Sequence, residues 1–193
     1  MLPKHKYLLT YRYSEIIHDL TVKFVQKYVL GSLSSLGSRP DYRSADQMNQ
    51  AARSGKQNIV EAVGQSQTSK KGEIKLLGVA KASLEELITD LEDFLRQRNL
   101  KIWPKTDSRI LRFRREGFRL SNLSNLSSLG ELIEKPELPD DPEEATNLLL
   151  TLCHQATFLL DRQIKKAEEV FIQEGGYSEK LFKKRLETRG KSN

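Results

Sequence analysis

Five arginines stand close together in the middle of the sequence. They are Arg109, Arg112, Arg114, Arg115 and Arg119. Residues 101–120 hold seven basic and two acidic side chains, and the whole chain has a formal net charge of +6. Guanidinium groups bind phosphate through charge-assisted hydrogen bonds, so such a cluster suits a polyanion. Because the five positions spread around a helix rather than along one line, they favour RNA or single-stranded DNA, bound with little sequence preference.

A second basic group stands near the carboxyl end, in a short predicted helix. It consists of Lys180, Lys183, Lys184 and Arg185. Together with the arginines, these cations are candidate phosphate contacts of the nucleic acid. Phe113 and Phe118 stand between the arginines and could stack on unpaired bases. Anchoring of the segment to the rest of the protein is the favoured interpretation of both rings, because a basic helix without an apolar anchor would not be ordered.

The same charges also fit a different function. Residues 131–144 are rich in acidic side chains that could pair with the basic segments between subunits. The alternative to nucleic-acid binding is therefore a protein-interaction or scaffold module that forms a homo-oligomer and binds no nucleic acid. A continuous basic surface would favour the first function, and neutralised basic segments would favour the second.

A third polar group lies on a predicted helix whose other side is apolar. Its members are Arg53, Lys56, Asn58 and Glu61. Their spacing predicts either a hydrogen-bonded subunit contact or ligand site, or an exposed face with weak local pairs.

Other arrangements of reactive residues are incomplete. Glu15 and His18 form one Glu-x-x-His half-motif, whereas a di-iron bundle needs two such motifs and two further glutamates. Gly55-Lys56 lacks the first glycine and the following Ser or Thr of a phosphate-binding loop. The single cysteine, Cys153, falls on an apolar stripe and is expected to be a small buried hydrophobe. We expect no enzyme activity, no cofactor and no metal.

Apolar residues at spacings of three and four predict the elements that position these groups. Four long helices are expected at about 9–30, 44–64, 69–103 and 142–174, with a short fifth at 178–189. They predict an all-α fold, an antiparallel up-down-up-down four-helix bundle. Ser44 with Gln47 fits a capping box for the second helix, and Asp141-Pro142 marks the start of the fourth. Gly55 predicts a close approach of a neighbouring helix.

An insertion separates the third and fourth helices. Residues 1–175 are expected to form the bundle, with residues 104–142 inserted, and residues 176–193 a basic suffix. Within the insertion, 107–119 could form a short basic helix in which Ile110 and Phe113 contact the bundle. From Leu120 to Leu132 leucines recur every three residues, which suits a turn-rich path over one end of the bundle.

Two stretches of the sequence resemble a known family. They are QMNQAARSGKQNIVEA, with an Asn-Ile-x-Glu signature at residues 58–61, and KGEIKLLGVAKASLEELITDLEDFL. The chain resembles the bacterial four-helix bundle proteins of the ribosomal-RNA intervening-sequence type, in the four helix bundle suffix domain subgroup, although Ala62 stands where the family usually has glycine. The resemblance covers about 10–103 and 143–190. It implies a homo-oligomer, most often a pentamer, and kinship with the accessory variability determinant of diversity-generating retroelements, which binds nucleic acid and a reverse transcriptase.

The sequence also limits where the protein is expected. No run of 18 apolar residues is present, so no transmembrane helix and no membrane partner are predicted. The amino terminus is basic but has no apolar core followed by a small-residue cleavage site. We therefore expect a cytoplasmic protein. Apolar stripes on the third and fourth helices that are wide for one bundle add a physical reason to expect a homo-oligomer.

Overall fold

The computed structural model describes residues 3–31, 41–121 and 137–190, and over these residues it is all-helical, with no strand. The all-α prediction is thus confirmed for the described part of the chain. Its α-helices are α1 (Leu9–Phe24), α2 (Tyr42–Gln65), α3 (Lys70–Gln97), α4 (Ser108–Ser121), α5 (Pro142–Glu174) and α6 (Tyr177–Gly190). A 3₁₀ turn, Lys4–Tyr7, precedes α1, and a π-helical turn, Val25–Val29, extends it.

Side-chain caps fix where the long helices begin. Asp141 accepts from the Glu144 amide (2.8 Å), and Pro142 is the first residue of α5, as predicted. The predicted Ser44–Gln47 capping box on α2 is wrong. The cap is Asp41, whose carboxylate accepts both the Ser44 amide (3.0 Å) and the Ser44 hydroxyl (2.6 Å). A carboxylate accepts both hydrogens at once, so α2 begins two residues before Ser44.

The predicted end of α3 at Trp103 is also wrong. The helix ends at Gln97, and Asn99 adopts a positive φ of 54°. The Leu100 amide then donates to the Leu95 carbonyl (2.9 Å), which closes the last turn. Asparagine tolerates the left-handed region better than most residues, so the helix ends there and not at Pro104. Trp103 lies in a non-helical segment and is only 7% exposed.

One apolar core joins α1, α2, α3 and α5. Phe24 of α1 meets Phe94 of α3 edge to face, with ring centroids 4.9 Å apart. Gly55 of α2 lies so close to α3 that an added Cβ would come within 2.8 Å of Leu84 Cδ2. The predicted close approach at Gly55 is therefore confirmed. Cys153 is fully buried, as expected, and burial raises the pKa of its thiol.

Helix α4 packs against α5 and against the first turns of α1. Ile110 and Phe113 are buried, as predicted. The predicted anchoring by Phe118 is wrong, because its ring lies on the solvent-facing side of α4 and is exposed. At Gly117 an added Cβ would come within 2.7 Å of Leu152 Cδ2, so the two helices are in close contact there. Buried Arg12 of α1 donates through Nη2 to the Leu120 carbonyl at the end of α4 (3.3 Å). These contacts fix which side of α4 faces solvent.

Two regions lie outside this packing. Helix α6 has no buried residue, although its predicted position is confirmed to within one residue at each end. The leucine repeat of the insertion falls largely on residues 122–136, outside the described residues. No helix in the described part of the chain is long and apolar enough to cross a membrane.

Candidate nucleic-acid interface

Three of the five clustered arginines have carboxylate partners. Arg109 forms two hydrogen bonds with Asp107 (3.0 and 2.8 Å), and these bonds are the main reason why the pKa of Asp107 falls to about 2. Arg112 pairs with Glu144 of α5 (2.7 Å). Arg119 lies 3.5 Å from Glu116. These three positive charges are partly neutralised within the chain.

The other two arginines have no carboxylate partner among the described residues. Arg115 is exposed on the outer side of α4. Arg114 is half-buried beside α5, because the Gln155 amide donates to its backbone carbonyl (3.3 Å) and holds α4 in place. The two side chains are adjacent in sequence but have different surroundings.

Arg114 lines a cleft of about 520 Å³ between α4, α5 and the segment that precedes α4. This volume lies within the range of small-ligand sites. Among the described residues no carboxylate lines the cleft, whose cationic or protonatable members are Lys105, Arg114 and His154. The other lining residues are Ile102, Trp103, Ile110, Asn147, Leu150, Thr151, Gln155 and Phe158.

The uncharged polar side chains of the cleft already donate hydrogen bonds within the chain, from Asn147, Thr151 and Gln155. Asn147 Nδ2 donates to the Lys101 and Glu143 carbonyls (2.9 and 2.8 Å), and its Oδ1 accepts the Trp103 amide (2.8 Å). Thr151 donates to the Asn147 carbonyl (2.7 Å). What the cleft offers a ligand is therefore almost entirely cationic or hydrogen-bond donating, through Lys105, Arg114 and protonated His154.

Glu143 holds the segment that forms one wall of the cleft. Its Oε1 accepts the Trp103 indole N–H (2.7 Å), and its Oε2 accepts the Lys101 amide (2.9 Å). The Lys101 bond is the main cause of the lowered pKa of Glu143, followed by the Trp103 bond. The Arg109 guanidinium lies 3.3 Å from the centroid of the Trp103 ring and covers it from outside. Arg109 is therefore a structural support of the cleft.

His154 is the titratable side chain of the cleft. Burial is the largest cause of its lowered pKa, and the positive charges of Lys105 and Arg114 lower it further. Glu92 of α3 acts in the opposite direction. The imidazole is therefore mostly neutral at pH 7, and an anion beside it would favour its protonated form.

The cations of α6 lie apart from this cleft. Lys180 pairs with Glu174 (2.6 Å), whereas Lys183, Lys184 and Arg185 are exposed and have no ion pair within the described residues. Gln155, where α4 contacts α5, and Glu174, where α5 ends, are separated by about 29 Å of helix. Within one chain the two predicted groups of phosphate contacts are thus not one continuous surface.

The polar group of α2 is divided between two neighbouring helices. Lys56 Nζ lies 3.0 Å from His18 Nδ1 on α1. Asn58 donates to the Ser54 hydroxyl (3.1 Å), and that hydroxyl lies 2.9 Å from the Ser83 hydroxyl on α3. Arg53 and Glu61 are exposed. The four residues therefore do not converge on one site, and Lys56 and Asn58 contribute to helix contacts inside the chain.

Searches of family models, curated proteins and solved structures found no match for this chain. The family resemblance described above therefore stays a prediction.

Sequence reasoning identified Arg114 and Arg115 but missed the residues that complete the cleft. His154 and Phe158 stand on the predicted long helix, and Ile102 and Trp103 were assigned to the end of α3. One signal was present, because the only tryptophan of the chain stands directly before a proline. A residue before proline favours extended backbone, so Trp103 could have been placed in a loop beside the arginines.

Proposed function

We propose that this protein binds single-stranded nucleic acid, RNA or single-stranded DNA, on the surface formed by the cleft and the solvent-facing side of α4, and that it catalyses no reaction. One observation carries the proposal: Lys105, Arg114 and His154 converge on a cleft that no described carboxylate lines. Arg115 extends the positive charge outward along α4. Cations without internal partners are free to replace the counterions of phosphates, which is the main source of affinity for a strand.

The proposed assembly is a homo-oligomer of antiparallel up-down-up-down bundles, with a pentamer first because of the family resemblance. Contacts between the helices support the antiparallel arrangement of α1 and α3 relative to α5. Thr10 donates to Gln163 (2.7 Å), near the start of α1 and in the second half of α5. Asn147, near the start of α5, accepts the amide of Trp103, beyond the end of α3 (2.8 Å), whereas Lys81, in the first half of α3, pairs with Asp161, in the second half of α5 (2.8 Å). A nucleic-acid-processing partner such as a reverse transcriptase is proposed on the same resemblance.

Fluorescence anisotropy of a labelled, mixed-sequence single-stranded RNA tests the binding proposal. The test variant carries Lys105→Gln, Arg114→Gln and Arg115→Gln. We expect it to bind at least tenfold more weakly at low salt. The slope of log affinity against log salt concentration should become shallower by about two, since each of the three lost phosphate contacts on a single strand contributes roughly 0.7 to it.

A matched control removes three positive charges elsewhere. Arg43→Gln, Lys71→Gln and Lys75→Gln change exposed cations of α2 and α3 that have no ion pair within the described residues. The control should keep most of the wild-type affinity. Absence of wild-type binding at low salt would reject nucleic-acid binding. An equal loss in both variants would reject the cleft and α4 as its location.

A protein-interaction or scaffold module remains the second candidate function. The observation that favours it is the internal pairing of Arg109, Arg112 and Arg119 with carboxylates. If wild type does not bind RNA but forms a defined oligomer, the scaffold function is the better account.

A further inference from the structure

We infer that the cleft receives one unstacked nucleotide, with its base against Phe158 and Ile102 and its phosphate near Lys105 and Arg114. The inference rests on the proposed function and specifies which part of the strand the cleft binds, namely a single nucleotide. The shared chemistry is that of a nucleotide, which can come from a bound strand or from a free mononucleotide. The strand is the source that we propose, because Arg115 continues the positive charge outside the cleft.

The apolar lining of the cleft suits a flat ring. Phe158 is 61% exposed and Ile102 is 56% exposed, although both are large apolar side chains. They lie on different elements, α5 and the segment before α4, and both line the cleft. Aromatic side chains bind bases by stacking on their faces, whatever the base, so this lining requires no sequence preference.

The polar lining requires an anion. Both side-chain N–H groups of Asn147 and the Thr151 hydroxyl hydrogen are engaged, and the Asn147 side-chain oxygen already accepts the Trp103 amide. Gln155 Oε1 is buried and without a partner, and an added Cβ at Gly117 would lie 3.3 Å from it, so it faces α4. The groups left for a ligand are those of Lys105, Arg114 and His154. A phosphate supplies the acceptors and the negative charge that these groups need.

The size of the cleft limits the ligand to one nucleotide. A volume of about 520 Å³ can hold one base with its sugar and phosphate, but not a base pair or a stacked run. The base that enters must therefore be unpaired, which is the usual form in which proteins read single strands. Trp103 lines the cleft and is the only tryptophan in the chain, so its fluorescence reports occupancy directly.

The experiment measures Trp103 fluorescence during titration with uridine 5′-monophosphate, with ribose 5-phosphate and with an oligouridylate strand. We expect the mononucleotide to change the emission, ribose 5-phosphate to have little effect, and the strand to bind more tightly than the mononucleotide. Phe158→Ala should lower the affinity for the mononucleotide and for the strand about tenfold, because stacking on the ring is lost. The matched control is Tyr42→Ala at the start of α2, where the ring is 68% exposed and does not line the cleft.

A second pair of variants tests the phosphate contact. Arg114→Gln should weaken binding of the mononucleotide. Arg115→Gln should weaken binding of the strand only, because Arg115 does not line the cleft. Phe158 is mostly exposed, so its replacement leaves the core intact, and circular dichroism verifies the fold of each variant.

The outcomes separate this inference from the proposed function. Strand binding that Phe158→Ala and Arg114→Gln leave unchanged would overturn the cleft inference and leave nucleic-acid binding in place. Mononucleotide binding that depends on Phe158, without any strand binding, would support the cleft as a nucleotide site and reject the proposed function. Binding of ribose 5-phosphate as tight as that of the mononucleotide would overturn the role of the base.

Discussion

At the scale of single residues, the hydrogen bonds of Asn147 and Glu143 fix one wall of the cleft. The Asn147 side-chain oxygen and both Glu143 carboxylate oxygens accept hydrogen bonds from the segment before α4. The same bonds hold the wall of the cleft on the start of α5. The chain therefore builds a cationic site beside an acidic residue without exposing that residue's charge to the ligand.

The first prediction at this scale concerns His154 and pH. Burial, followed by Lys105 and Arg114, lowers the pKa of free His154, and a bound phosphate should raise it. Binding therefore takes up a proton, and affinity should rise as pH falls through the interval between the two pKa values. One proton limits the gain to about tenfold per pH unit. Anisotropy of an oligouridylate strand from pH 7.5 to 5.5 measures it, since internal phosphodiesters do not titrate in this range.

His154→Gln should remove this pH dependence, and His5→Gln should retain it. The chain has three histidines, and His5 lies before α1, outside the cleft. The charged groups facing His154 are Lys105, Arg114 and Glu92. An equal pH dependence in His154→Gln and wild type would show that another group takes up the proton.

The residues of the cleft could be predicted from the sequence only in part. The arginines of α4 were visible because charge clusters are local in sequence. The partners of Arg109 and Arg112 could be predicted only in part, because Asp107 is two residues from Arg109, whereas Glu144 is 32 residues from Arg112. His154 and Phe158 gave no local signal. Periodicity shows which residues share one face of a helix, but it does not show which part of the chain packs against that face.

At the scale of elements, the early end of α3 creates the wall of the cleft. If α3 continued to Trp103, as the position of Pro104 predicts, the segment that bonds to Glu143 and Asn147 would be helical and the observed wall would not form. The left-handed Asn99 redirects the chain, and the bonds from Lys101 and Trp103 to α5 stabilise the new path. The start of α5 was predicted better than the end of α3, because the Asp141 cap is a local feature of the sequence. The end of α3 depends on contacts with α5 that lie beyond the insertion.

The second prediction, at the element scale, concerns the close contact of α2 and α3. In Gly55→Ala the new Cβ would lie 2.8 Å from Leu84 Cδ2 and 3.0 Å from Cγ, and Leu84 is fully buried. Overpacking costs about 1–3 kcal/mol, and the gain in helix propensity offsets about 1 kcal/mol of it. We expect a net loss of about 1 kcal/mol in the free energy of unfolding, measured by urea titration with circular dichroism.

Gly78→Ala is the matched control for the helix-propensity gain. Gly78 lies inside α3, and an added Cβ there meets no atom within 4 Å. This variant should be more stable than wild type by about 0.5–1 kcal/mol, since only the backbone entropy of glycine is removed. If both variants gain stability equally, the spacing of α2 and α3 accommodates a methyl group and Gly55 is not required for the contact.

At the scale of the whole molecule, the basic side chains lie in two separate regions of the surface of one chain. The cleft and α4 form one positive region, and α6 forms another, about 29 Å further along α5. In a closed homo-oligomer, the positive region of one chain and the α6 of another could lie beside one strand. In such an oligomer, the arrangement of subunits would decide whether the cations of α6 contact the same strand as those of α4.

The last prediction is that α6 holds the oligomer together. Leu181, Phe182 and Leu186 are exposed on a helix that has no buried residue, and such a short helix is not stable in water by its own propensity. Packing on another copy would bury these side chains. We expect light scattering at micromolar concentration to give a closed oligomer of wild type, with a mass near five times the 22.1 kDa of one chain. The variant Leu181→Ser, Phe182→Ser, Leu186→Ser should dissociate toward a single chain while the other helices stay folded.

The control for this variant changes exposed apolar residues of a different helix. Leu111→Ser with Phe118→Ser alters two exposed side chains of α4, where the packed side is formed by Ile110 and Phe113. This control should keep the wild-type mass. A wild-type mass of one chain at micromolar concentration would contradict the oligomer itself. An oligomer that survives the α6 variant but not the α4 control would place the subunit contact on α4, where it would compete with a bound strand.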